Sequence, residues 1–179
     1  IRDAVEGATR VQHTVRDLKT FSRVDEPERV ALDLKRFVSS TLRIAGTALR
    51  HRVKVTTELA DVPAVLGGEA RLGQVVLNLV LNAAEASGRS GTVQVMTEGD
   101  GREAVIHVDD NGPGVEPADR ELIFEPFLTR RRQGNGLGLA VVKSVVDGHG
   151  GSVAVGRAPI GGARFTVRIP RRVAVRREA

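Results

Sequence analysis

The sequence predicts an α/β (α+β) two-layer sandwich: one mixed, mainly antiparallel sheet covered by helices, with a single long helix in front of it. Three observations carry that prediction. Apolar residues recur at helical spacing in separate runs, other runs alternate at the two-residue period of strands, and turns rich in glycine or proline divide them. The 179 residues suit one domain with an appendage, and 41% hydrophobic with 27% charged residues is the balance of an ordinary folded protein.

The elements follow in order. Ile1, Ala4, Ala8, Val11, Val15, Leu18 and Ser22 alternate at spacings of three and four, the seam of a coiled-coil or bundle helix over residues 1–24 that needs a partner, so homodimerisation is expected there. Asp25, Glu26 and Pro27 stop it, because proline cannot continue the helical ladder, and a boundary near residue 25 opens a domain over 25–170. Residues 29–33 read as a short strand. Leu34, Phe37, Val38, Thr41, Leu42, Ala45 and Leu49 mark an amphipathic helix, and 53–59 a strand with Val53, Val55 and Thr57 on one face. Residues 69–87 are helical. The strands 92–98 and 104–109 form a hairpin around Gly99, Asp100 and Gly101. Residues 111–135 read mostly as loop, with a helical turn at 117–122, and a loop of that length is functional or disordered. A helix at 137–149 ends on Gly150 and Gly151, strands at 152–156 and 164–169 close the domain, and 171–179 form a basic tail.

Composition excludes several classes. Without cysteine there are no disulfides and no thiolate zinc sites. No apolar run reaches the roughly 18 residues that span a bilayer, and no signal-peptide pattern opens the chain. The expectation is a soluble, cytoplasmic piece of something longer, whose parent is cytoplasmic or membrane-anchored. The net charge of +5 raises nucleic acid as a partner, but the basic residues are scattered and there is no Trp or Tyr and only five Phe to stack on bases, so none is expected.

The chemistry gathers in three stretches. In LGQVVLNLVLNAAEA (72–86), Gln74, Asn78, Asn82 and Glu85 fall on one narrow stripe of an otherwise apolar helix, which favours amides lining a cleft over amides in water. A neutral amide oxygen suits Mg²⁺, which keeps several waters and takes few protein oxygens beside substrate phosphates, so Asn82 is the candidate ligand. Asn78, one turn earlier, would orient a phosphate or a metal-bound water. In AVIHVDD (104–110), alternation puts Ile106, Val108 and Asp110 on one face and Val105, His107 and Asp109 on the other. Asp110 is the carboxylate aimed inward, and as an acceptor it calls for donors such as the exocyclic amine of adenine. The bland alternative is a plain Asp-Asn-Gly turn. In GNGLGLA (134–140), Gly134, Gly136 and Gly138 let backbone amides approach an anion while the following helix directs its positive end there. The competing reading is a flexible hinge. Arg130, Arg131 and Arg132 precede it, able to fork onto phosphate oxygens or to sit in a solvated loop.

NLVLNAAEA, DDNGPGV (109–115), IFEPFLT (123–129) and GNGLGLAVV, in that order, resemble the N box, first glycine box, F box and second glycine box of the catalytic, ATP-binding domain of bacterial sensor histidine kinases, in the gyrase, Hsp90, histidine kinase and MutL superfamily. The similarity covers about residues 25–170. It implies a Bergerat-type fold with three main helices on one face of an open mixed sheet and an ATP lid between the glycine boxes. It implies ATP and Mg²⁺ as cofactors, Asn82 on the metal, Asp110 on adenine, and nucleotide contacts from Asn78, Glu85, Gly112, Gly114, Val115, Arg130, Arg131, Arg132, Gly134, Gly136, Leu137, Gly138 and Leu139. Residues 1–24, ending in LKTFSR, resemble the second helix of the dimerisation and histidine phosphotransfer hairpin. None of His13, His51, His107 or His149 shows the phosphoacceptor pattern of His, an acidic residue, and Pro five positions after the His. A receiver domain of a response regulator is the implied partner. Two departures stand out: arginines hold lid positions often held by lysine, and Ala163 replaces a common threonine, removing a polar contact near the base.

Three functions compete. The first is transfer of the ATP γ-phosphate to a histidine outside the chain and thence to a response-regulator aspartate. The second is a superfamily ATPase driving conformational change, opposed by Asn78 where such enzymes carry a glutamate base. The third is a non-catalytic module that has kept the fold, opposed by the intact boxes.

Overall fold

A computed structural model of the chain describes residues 30–49, 52–128 and 136–171. The expected helix at 1–24, the boundary near residue 25, and the tail from 172 onward lie outside the described residues.

Five strands form one sheet in the order β2 (Val53–Leu59), β4 (Gly91–Gly99), β5 (Glu103–Asp110), β7 (Ala163–Pro170) and β6 (Ser152–Arg157). Only β2 with β4 is parallel, so the sheet is mixed and mainly antiparallel, as the sequence predicts. A separate ribbon pairs β1 (Val30–Leu32) with β3 (Val65–Gly67). β3 was not anticipated. Its three residues are too few to show alternation.

Among the described residues, three α-helices pack on one face. In α1 (Leu34–Leu49), Asp33 caps the start by accepting the Arg36 N–H at 3.0 Å, and Leu34, Phe37, Val38, Thr41, Ala45 and Leu49 are buried. In α2 (Glu69–Ser87), Leu72, Val75, Val76, Leu79, Val80, Ala83 and Ala84 recur at helical spacing and are buried, and Gly88 ends the helix with φ +68°. α3 (Gly138–Gly148) begins one residue later than expected, with Leu137 as its N-cap, and buries Ala140, Val141, Val142, Val145 and Val146.

Facing the helices are Val93 and Val95 of β4, Ala104, Ile106 and Val108 of β5, and Phe165, Val167 and Ile169 of β7, which form a single core with them. Fully burying side chains of this size contributes about 1.5–3 kcal/mol each. Thr57, on the same face as Val53 and Val55, is exposed, on a strand at one edge of the sheet.

Candidate functional site

α2 and α3 run antiparallel, which brings the asparagine stripe of one onto the first turn of the other. The Asn78 Nδ2 donates to the Gly138 carbonyl at 3.1 Å. A Cβ on Gly138 would stand 3.8 Å from Asn82 Nδ2 and 3.9 Å from Asn78 Nδ2, so both half-buried amides lie against the start of α3. The backbone N–H groups of that first turn have no partner within the helix and carry its positive end, which suits phosphate.

Gly136 and the F box meet just before this turn. Gly136 has φ +66°, and its carbonyl accepts the Phe127 N–H at 3.0 Å. A Cβ there would lie 2.6 Å from the Phe127 carbonyl carbon, so only glycine fits. The two F-box phenylalanines divide: Phe124 is buried edge-to-face on Phe165 at 6.4 Å, whereas Phe127 is 70% exposed with φ +65°.

The second half of the site lies at the end of β5. Asp110 is 1% exposed, and its Oδ1 accepts the Gly112 N–H at 2.8 Å and the Ala163 N–H at 3.2 Å. Its carbonyl accepts the Gly162 N–H at 3.0 Å. Any Cβ on Gly162 would collide with Asp110 and stand 2.6 Å from Gly112 N, so Gly162 belongs to the site although no sequence pattern singled it out. Ala163 contributes through its main chain. The expected loss of a side-chain contact there leaves this N–H in place. Gly112 abuts the α2 carbonyl of Ala86, where a Cβ would come to 2.7 Å of the oxygen. Ala86 is one helical turn beyond Asn82, about 6 Å along the axis. α2 therefore links the aspartate end of the site to the asparagine end.

On the opposite face of the sheet is a polar network that sequence reasoning missed. Asp109, expected only to point away from the core, is fully buried there, because Arg164 lies directly across in register. The guanidinium grips both carboxylate oxygens at 2.7 Å, and this bond raises the Arg164 pKa further. His107 Nε2 lies 2.9 Å from Glu98 Oε1 and Nδ1 3.0 Å from Thr166 Oγ1. A carboxylate only accepts, so Nε2 donates, and this hydrogen bond holds the Glu98 carboxyl below the usual glutamate range. An open hollow on this face is lined by Glu58, Met96, His107 and Arg164 and contains none of the predicted site residues.

Of the other predicted residues, Gly114 takes φ +81° in the turn after β5. Val115 and Leu139 pack against the core and Leu137 is 2% exposed, so these three hold the boxes in shape. Glu85 is exposed at the C-terminal end of α2, beside Arg52, Gly88 and Arg89. Arg130, Arg131, Arg132 and Gly134 lie outside the described residues. No group of three His, Asp or Glu side chains able to hold a metal occurs among the described residues. The donor set at Asn78 and Asn82 is instead neutral amide, which fits a Mg²⁺ that draws its remaining ligands from water and phosphate.

A buried strand-end aspartate, paired helix asparagines and a glycine-opened helix over a mixed sheet define a nucleotide-binding domain. The profile of the histidine kinase-, DNA gyrase B-, and HSP90-like ATPases matches residues 67–173, and the chain belongs to this family. Sensor histidine kinase ZraS of Escherichia coli O157:H7 is 33% identical over 165 residues, covering 91% of this chain and 36% of that protein. The chain thus spans about a third of that relative's length. Mycobacterial sensor histidine kinase MprB superposes with a TM-score of 0.71 at 32% identity, over 81% of this chain and 99% of that one. Histidine kinase ThkA, solved in complex with the response regulator protein TrrA, shares the fold at a TM-score of 0.80 and 24% identity, over 94% of this chain and 49% of that one.

Proposed function

We propose that the chain is the ATP-binding, phosphate-donating part of a two-component sensor histidine kinase. Asp110 accepts the adenine amine, Asn82 holds Mg²⁺, and the N-terminus of α3 receives the phosphates, with Arg130, Arg131, Arg132 and Gly134 closing over them. Mg²⁺ supplies charge neutralisation at the β- and γ-oxygens when bound. The bond from the γ-phosphorus to the ADP oxygen breaks as one to a histidine nitrogen forms, and the phosphoryl group then passes to an aspartate of a response-regulator receiver domain. Residues 1–24 pair in a homodimer, and the parent works in the cytoplasm or anchored to a membrane facing it.

The observation that carries this reading is Asn78. Its side chain gives its N–H to the Gly138 carbonyl, where a hydrolytic superfamily member would need a glutamate base. Phosphoryl transfer requires positioning more than a resident base, so a site arranged this way donates to an incoming nucleophile. The histidines at 107 and 149 are both buried in hydrogen bonds, which fits a phosphoacceptor supplied from elsewhere.

A chain extended upstream by about one helical hairpin and supplied with γ-labelled ATP is expected to become labelled on histidine. Retained ATP binding without any labelling would refute transfer, and rapid steady-state hydrolysis by the 179-residue chain alone would favour the ATPase reading.

A further inference from the structure

His149 belongs to none of the four boxes, yet it is 4% exposed and both ring nitrogens are bonded. Nδ1 lies 2.7 Å from the Val145 carbonyl in the last turn of α3. Nε2 lies 3.1 Å from the backbone N–H of Gly68, the N-cap of α2. A carbonyl can only accept and a backbone N–H can only donate, so the ring is neutral with its proton on Nδ1. The ring lies against Gly67, where an added Cβ would stand 3.4 Å from Cδ2 and 3.5 Å from Nε2.

This contact is the far end of a pair. Ten residues along α2 separate Gly68 from Asn78, and eleven along α3 separate Gly138 from His149, spans of about 15 and 16 Å. Between these ends Leu72, Val75 and Leu79 of α2 and Val141 and Val145 of α3 belong to the buried apolar core. Hydrogen bonds at the two ends add direction to that packing. A slip of one residue, about 1.5 Å, would break a hydrogen bond of this length.

We propose that His149 is a positioning residue for the nucleotide site: it pins the N-cap of α2 to the last turn of α3 and so sets the register at which Asn78 and Asn82 meet Gly138. This rests on the nucleotide reading above, but the register claim can be tested without nucleotide.

Nitrogen NMR of the 179-residue chain is expected to show His149 protonated on Nδ1 and bare on Nε2. His149→Gln keeps an acceptor for Gly68, whereas His149→Asn keeps only the donor to Val145. With thermal midpoints measured alongside, the asparagine variant is expected to shift the Asn78 side-chain amide resonances and to bind Mg²⁺ with a non-hydrolysable ATP analogue about tenfold more weakly. The glutamine variant is expected to stay within about threefold of the parent. A proton on Nε2, or an asparagine variant with unshifted Asn78 resonances and parental affinity, overturns the proposal. So does loss of affinity in both variants in step with lost stability. If the parent chain binds no analogue while the Asn78 resonances still shift in the asparagine variant, the register role stands and the nucleotide reading falls.

Discussion

Replacing Asp110 with asparagine separates recognition of the base from folding. In the parent, Oδ1 takes the N–H groups of Gly112 at 2.8 Å and Ala163 at 3.2 Å inside a site where the residue is 1% exposed. The carbonyl oxygen of asparagine can take both bonds, so what changes is the second oxygen, now an NH₂ donor. Toward the amine of adenine a donor then faces a donor. Hydrogen bonds to charged groups are worth about 1.5–3 kcal/mol, which at 1.4 kcal/mol per decade predicts binding about 10- to 100-fold weaker. Stability is expected to fall less than in Asp110→Ala, because the Gly112 and Ala163 N–H groups keep a partner. Asp110→Ala provides the contrast: it strands two N–H groups at about 1–3 kcal/mol each and lowers the unfolding temperature as well. The assay is titration calorimetry with Mg²⁺ and a non-hydrolysable ATP analogue, paired with thermal unfolding. A well-folded Asp110→Asn chain that binds within about twofold of the parent would refute the reasoning.

Three further outcomes are expected. Asn78→Glu puts a carboxylate against the Gly138 carbonyl in place of the N–H now donated at 3.1 Å, so nucleotide binding weakens and a phosphate-release assay shows no gain of hydrolysis; a rise in turnover would count against the assigned role. Arg164→Ala leaves Asp109 buried and unpaired, and urea unfolding is expected to show a loss of about 3–5 kcal/mol, largely recovered when Asp109 is made apolar too. Glu98 has a folded pKa held below its unfolded one by the His107 hydrogen bond, so its contribution is present above the ordinary glutamate range and lost as pH falls through the folded value. Urea midpoints are expected to decline below about pH 4, less steeply in Glu98→Gln. Because the Glu98 side chain is 66% exposed, that difference is small, and identical slopes would remove the residue from the account.

Among the described residues, the helices at 34–49 and 69–87 were legible because periodicity sustained over that length leaves little choice of face. Strand alternation also picked the inward aspartate correctly. What it could not supply was the partner of the outward one. Arg164 is 55 residues from Asp109 in the chain, and only the pairing of β5 with β7 puts them opposite. Gly162 was invisible for the same reason, since its requirement comes from Asp110 pressing on it from another strand.

Asp109 and Asp110 are chemically identical neighbours, and strand parity alone gives them opposite tasks. Three consecutive residues at the entry to β7 secure both: Gly162 and Ala163 hold Asp110 through main-chain N–H groups, and Arg164 holds Asp109 through its side chain. The strand end proposed to read the base is therefore anchored from both faces of the sheet by a charged pair and three backbone bonds. On the proposed reading, the phosphate end rests on the register of two helices, to which the bonds at Asn78 and His149 contribute. Different ligands sample these ends differently. Adenosine, which carries no phosphate, is expected to feel changes at Asp110 and Gly162 but little at Asn78 or His149, whereas the triphosphate feels all four. Equal sensitivity of adenosine to all four would mean that the site responds as one body, and that the division between a fixed base end and a register-dependent phosphate end does not exist.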